Sequence, residues 1–120
     1  MRLLQLLKAK IHHARVTYAN PDYVGSIEID QDLMDRVGIQ NGEMVQIWAV
    51  DHPARLNTYA FAGPKGVIGM NGGAARFFNP GDRVIISAYT WTDEDVTPKI
   101  ILVDDNNAFV REIRPFHVQG

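Results

Sequence analysis

Apolar and polar residues alternate over most of this chain with the period of two that marks half-buried β-strands, in short runs separated by turn signals. Residues 2–10 admit two readings. Leu3, Leu4, Leu6 and Leu7 fit an amphipathic helix, whereas Lys8, Lys10 and His12 alternate with Leu7, Ala9 and Ile11 as in a strand. Ala14 to Tyr18 is β-branched and aromatic and runs into Asn20-Pro21-Asp22, which predicts one long strand ending at that turn. A short strand follows from Ser26 to Asp30, with Ile27 and Ile29 on one face. Asp30 then caps a helix whose apolar side is Leu33, Met34 and Val37, with Asp32 in its first turn and Gly38 as its left-handed stop.

Gln40-Asn41-Gly42-Glu43 turns into a strand at Met44 to Val50. Asp51-His52-Pro53 leads to a second strand, Arg55 to Phe61, expected beside the first. Val67 to Met70 is a short strand, and Asn71-Gly72-Gly73-Ala74-Ala75 a loop opening a one- or two-turn helix. Beyond Asn79-Pro80-Gly81-Asp82, the run Arg83 to Thr90 with Val84, Ile85 and Ile86 predicts a strand buried on both faces. Thr92 to Val96 is read as a helical turn, and Lys99–Val103 with Ala108–Ile113 as a hairpin. Many short strands, few helices and no regular βαβ alternation predict a small closed β-barrel.

At 120 residues the chain carries one core, so a single site is sought. Net charge is -2 with Lys and Arg scattered, which removes the basic footprint of a nucleic-acid binder and favours small polar ligands. The absence of cysteine excludes disulfides, thiolate metal sites and cysteine nucleophiles. Lys8 and Lys10 interrupt the N-terminal leucines before they reach the length of a signal or membrane segment, so a soluble cytoplasmic protein without membrane partners is expected. His12 and His13 are neighbours on a strand, where side chains face opposite sides, so they are not expected to clamp one metal ion.

Two stretches carry candidate chemistry. In Tyr23-Val24-Gly25-Ser26 the Ser26 hydroxyl can attack the Gly25 carbonyl, where glycine offers no Cβ to block the approach and tolerates unusual φ/ψ. The resulting ester would eliminate to dehydroalanine and hydrolyse to a pyruvoyl ketone, able to form an imine with an amine and withdraw electrons as pyridoxal phosphate does. The plain alternative is a Gly-Ser turn. In Arg55-Leu56-Asn57-Thr58-Tyr59, alternation puts Arg55, Asn57 and Tyr59 on one face and Thr58 on the other unless a bulge turns it. Arg55 would grip a carboxylate and Tyr59 would serve as a protonated acid; the plain alternative is a surface arginine and a strand tyrosine. The amides of Asn71-Gly72-Gly73 can face a carboxylate or oxyanion, or merely close a tight turn.

Together these stretches resemble the bacterial pyruvoyl-dependent aspartate 1-decarboxylases from about Leu6 to Val103. The similarity is carried by Lys10-Ile11-His12, Tyr23 to Ile27 with Ile29 to Leu33, Arg55 to Tyr59, Asn71 to Ala75 and Pro80-Gly81-Asp82. The resemblance implies a double-psi β-barrel spanning residues 1–120, self-cleaved into a β chain (1–25) and an α chain (26–120). It implies strand at the N-terminus and a homotetramer with sites at subunit interfaces. It further implies decarboxylation of L-aspartate to β-alanine, for pantothenate and coenzyme A synthesis, through an imine with the pyruvoyl group made from Ser26. Neither metal nor pyridoxal phosphate is expected. Tyr59 would reprotonate the substrate, Arg55 and Lys10 hold its carboxylate, and Gly72, Gly73 and Ala74 line it. Thr58, Tyr23 and Asn71 would support processing or orientation, with His12 nearby and a helper protein conceivable for maturation. Gly73 departs from the family's usual alanine, and Asp51-His52-Pro53-Ala54 lacks the usual Asn-Gly before the arginine. Two rivals stand beside this reading. One is a barrel that never cleaves and only binds; the other is a pyruvoyl decarboxylase of another acidic amino acid such as glutamate, whose extra methylene a pocket rejects by only ~1–3 kcal/mol.

Overall fold

The computed structural model describes residues 1–114; residues 115–120, the end of the expected 1–120 domain, lie outside the described residues. The chain folds as β1 (Leu4–Arg15), β2 (Tyr18–Asn20), β3 (Ser26–Asp30), α1 (Gln31–Val37), β4 (Met44–Ala49), β5 (Arg55–Gly63), β6 (Ile68–Asn71), a 3-10 turn (Gly72–Arg76), β7 (Arg83–Thr92), β8 (Lys99–Val103) and β9 (Phe109–Ile113). The strands form one mixed sheet in the order β2-β6-β3-β5-β4-β7-β1-β8-β9. It is coiled about one core, in keeping with the β-barrel expected. Parallel pairings of β1 with β8, β2 with β6 and β3 with β5 join strands far apart in sequence. The antiparallel pairs β4–β5 and β8–β9 are the two expected neighbours.

The core follows the alternation. Ile27 and Ile29 of β3, Ile47 of β4, Ala60 of β5, Ile68 and Met70 of β6 and Ile86 of β7 are fully buried, and Phe78 is buried with them. α1 is built as its sequence dictates. Asp30 Oδ1 accepts the Asp32 N–H at 2.8 Å and Asp30 Oδ2 accepts the Gly66 N–H at 2.8 Å, while Gly38 ends the helix at φ 81°. Leu33, Met34 and Val37 face inward.

Three expectations are corrected. The long strand does not run unbroken to Asn20: it ends at Arg15, and Val16 and Thr17 turn aside to hydrogen-bond Asp82 and Ile68, so that β2 joins β6 instead. His12 and His13 do not face opposite sides. His13 takes φ 65° where the β1–β7 register slips between Ile11 and Ala14, and this bulge stacks the two rings at 3.8 Å and 21°. No helical turn forms at residues 92–96, because β7 continues to Thr92 and the chain only bends beyond it. The Arg83–Thr90 run is buried chiefly at Val84 and Ile86–Ala88; Ile85 is half-buried.

Candidate active site

The Gly25–Ser26 peptide lies at the end of a surface turn joining β2 to β3. Asn20 Oδ1 accepts the Asp22 N–H at 3.0 Å, fixing the entry of that turn, while Tyr23 and Val24 project outward with exposures of 65% and 89%. The turn rests on Gly72. A Cβ at Gly72 would lie 2.6 Å from Gly25 Cα, 2.7 Å from Gly25 N and 2.8 Å from the Tyr23 carbonyl oxygen, and φ of 64° there already favours glycine. Gly25 itself is outside the left-handed region, and a Cβ on it would meet nothing within 4 Å. The unusual backbone expected at Gly25 is therefore found at Gly72, against which Gly25 packs.

Ser26 begins β3 opposite Asn71 of β6. Asn71 Nδ2 donates to Ser26 Oγ at 3.3 Å and to Tyr18 Oη at 3.1 Å; Tyr18 Oη donates to Glu28 Oε1 at 2.8 Å. Asn71 is buried, and its Oδ1 has no hydrogen-bond partner among the described residues. Burial and the bond to the Glu28 carboxylate raise the Tyr18 phenol above its ordinary pKa. Tyr23, Val24 and Phe61 complete the recess around Ser26.

The second cluster lies on the same outward side of the sheet. Ile27 pairs with Ala60 and both are buried, so Ser26 and Glu28 of β3 and Tyr59 and Phe61 of β5 share the opposite, solvent-facing side. Arg55, Asn57 and Tyr59 are exposed on that face as the alternation predicts, with Thr58 half-buried on the other. Arg55 pairs with Trp48 across the β4–β5 ladder, its guanidinium carbon 5.0 Å from the ring centroid, and Lys10 Nζ lies 5.8 Å from the same ring. Trp48 Nε1 is buried, without a partner among the described residues. Two cations thus flank one indole, a corner suited to an anion. His12 lies two residues along β1 from Lys10, and burial, the His13 charge and the Lys10 charge hold its imidazole below the ordinary value.

The sequence profile of the aspartate decarboxylase family matches residues 2–110, further at both ends than the resemblance read from motifs. The chain is 50% identical over 111 residues to aspartate 1-decarboxylase of Bacillus cereus (strain G9842), covering 88% of this chain and 87% of that protein. Aspartate 1-decarboxylases of Carboxydothermus hydrogenoformans and Clostridium beijerinckii are each 46% identical; the first aligns over 90% of both chains, the second over 92% of this chain and 94% of its own. The chain belongs to the aspartate decarboxylase family.

Among the residues that the resemblance to aspartate decarboxylases singled out, the fold gathers Tyr23, Ser26 and Asn71 in one recess, with Gly25 against Gly72. It gathers Arg55 and Lys10 at Trp48. These clusters do not merge: the recess beside Arg55 is lined by Gln46, Trp48, Asn57, Tyr89 and Trp91, without Ser26. Thr58, half-buried behind Tyr59, is not among the residues around Ser26. Gly73 can bear a Cβ, which would meet nothing within 4 Å, so the departure from alanine opens no clash and fills no gap. Tyr18, Glu28, Trp48 and Phe61 were missed. Period two places Glu28 on the face of Ser26 and could have found it; Tyr18 reaches the site only through the nonlocal order β2-β6-β3. Among the described residues, no three His, Asp or Glu side chains come together as a metal group, and no helix is long and apolar enough to cross a membrane.

Proposed function

We propose that this chain is an aspartate 1-decarboxylase that matures by breaking its own backbone between Gly25 and Ser26 into pieces 1–25 and 26–120. The observation that carries this reading is the Ser26 hydroxyl held by Asn71 Nδ2 at 3.3 Å, at the end of an exposed turn whose backbone packs against a glycine. Ser26 Oγ attacks the Gly25 carbonyl carbon, the amide C–N bond breaks, and the proton of the hydroxyl ends on the freed nitrogen. Loss of the Ser26 Cα proton then expels the Gly25 carboxylate. The dehydroalanine left behind takes up water and releases ammonia, leaving a pyruvoyl group on the new N-terminus.

The residues present fit such a group: the unpartnered Asn71 Oδ1 and the Asn71 Nδ2 donor sit beside the atoms that would become it. Its ketone would supply covalent attachment of the substrate amine and a sink for the electron pair left by carbon dioxide. The chain's own residues do the rest. Arg55 and Lys10 neutralise the retained carboxylate beside Trp48. Tyr59, beside Ser26 on the outward face, delivers the proton that completes β-alanine, a precursor for pantothenate and coenzyme A. Fixing one carboxylate with paired donors while the other has none favours loss of the second.

Arg55 and Tyr59 are four residues apart on β5, about 13 Å along the backbone, and the recess beside Arg55 does not include Ser26. The site is therefore shared between copies, Arg55 of one meeting Ser26 of another in a homotetramer. Exposed Met44, Tyr59, Phe61 and Trp91 on and around this face support that assembly. The deciding experiment is a denaturing mass spectrum of purified protein before and after warming, paired with an assay of β-alanine from L-aspartate. Two fragments, the larger without a free amine, and β-alanine release are expected, with Ser26→Ala remaining whole. An intact mass that survives warming, with no product, would leave a binding barrel in place of an enzyme.

A further inference from the structure

Asn71 has two ways to place its amide, and the chemistry at Ser26 differs between them. With Nδ2 toward Ser26, two N–H donors face Oγ and Tyr18; with the amide turned over, an acceptor faces both. Ser26 must give up its proton to attack, and only the first orientation stabilises the alkoxide so formed on Oγ. Glu28 decides between them. An ionised carboxylate only accepts, so the Tyr18 hydroxyl must give its hydrogen to Glu28 Oε1 at 2.8 Å, and its oxygen is then left to accept from Asn71 at 3.1 Å. The amide nitrogen is in this way forced to the side where Ser26 Oγ lies at 3.3 Å.

We infer that Glu28 and Tyr18 are positioning residues for self-cleavage: a one-way hydrogen-bond chain from the Glu28 carboxylate sets the orientation of Asn71 and so the rate at which Ser26 attacks Gly25. This rests on the self-cleavage proposed above and names what regulates its first step. Tyr18 is held for the task. Its ring fills the space beside Gly69, where a Cβ would come within 2.0 Å of it, so the hydroxyl cannot swing away without leaving a void. Asn71, 7% exposed, has no other partner for either amide atom among the described residues, which leaves Tyr18 and Ser26 to fix which way it points.

The test uses the full-length chain and follows cleavage by mass, with hydroxylamine added to trap the Gly25 ester as a hydroxamate. Glu28→Gln keeps the size of the side chain but lets it donate or accept, so the chain can run either way. Cleavage should slow about two-fold or more with little change in Tm, because part of the population turns Asn71 over. Tyr18→Phe removes the link and should slow cleavage by roughly ten-fold or more, since a hydrogen bond to a charged group is worth about that factor or more. In both variants the trapped hydroxamate should fall in step with cleavage, since attack itself is impaired. A residue that only packed would lower Tm without this effect from the isosteric Gln. Wild-type cleavage in Glu28→Gln, or ester accumulating in either variant, would overturn the inference while leaving self-cleavage intact. A wild-type chain that never cleaves would overturn both. If Tyr18→Phe does not fold, Glu28→Gln alone decides.

Discussion

At the scale of single residues, the site rests on side chains whose partners lie on other strands, and substitutions should separate maturation from turnover. Arg55 stands over Trp48, away from the recess around Ser26. Arg55→Lys would lose the planar fork that binds a carboxylate at two points, weakening kcat/KM for aspartate by roughly ten-fold or more, as charged hydrogen bonds are worth about 1.5–3 kcal/mol. Cleavage at Ser26, followed by mass, should proceed as in the parent chain. Unchanged kcat/KM would remove Arg55 from substrate binding. The neighbouring glycines offer a contrast. Gly72→Ala places a methyl 2.6 Å from Gly25 Cα in a left-handed backbone, so it should cost about 1–3 kcal/mol and disturb cleavage by pushing the turn away. Gly73→Ala meets nothing and should hold or raise Tm, since alanine restricts the unfolded chain by about 0.4–1 kcal/mol. Equal Tm loss in the two variants would contradict this account of the loop.

At the scale of elements, α1 is pinned by one carboxylate serving two neighbours. Asp30 caps the helix through Asp32 N–H and holds the Gly63–Gly66 turn through Gly66 N–H. Asp30→Ala should therefore cost more than an ordinary cap, about 2–4 kcal/mol, because the cap is lost and a second N–H loses its acceptor. Urea unfolding measures it, and a loss below ~1 kcal/mol would mean that water replaces both bonds. This helix was legible in the sequence because cap, apolar face and glycine stop all fall within nine residues, Asp30 to Gly38. The shared face of Arg55, Asn57 and Tyr59 was legible for the same reason: strand alternation is local. The break at Val16-Thr17 and the bulge at His13 were not, since one depends on Asp82 and Ile68 and the other on register with β7. Nor was the Tyr18–Asn71 contact, which needs β2 laid beside β6, about fifty residues along the chain.

For the molecule as a whole, the titratable groups whose surroundings shift them define a window of maximal stability. His12 is held below its ordinary value of 6.5, so the fold binds fewer protons there than the unfolded chain. Its contribution is complete above pH 6.5 and is lost as the pH falls toward its folded value. Asp82 and Asp51 act in the same sense from a lower starting point, about 3.8. Burial pushes Asp82 up, but the Asn79 N–H and His52 outweigh it, and Arg83 lowers Asp51. Tyr18 acts in the opposite sense. Burial and Glu28 raise it above 10.0, so stability is present below pH 10 and falls as the pH rises toward the folded value. Tm plotted against pH should thus show a plateau between about 6.5 and 10, a first decline on the acid side, a second near pH 4 and an alkaline decline. His12→Gln should extend the plateau downward by removing the first decline, and Tyr18→Phe should flatten the alkaline limb even if it lowers the plateau. Such a profile is read by calorimetry on Ser26→Ala, expected to keep its backbone whole, at one protein concentration throughout. An acid limb that begins only near pH 4 in both Ser26→Ala and its His12→Gln derivative would show that His12 titrates alike in the folded and unfolded chains.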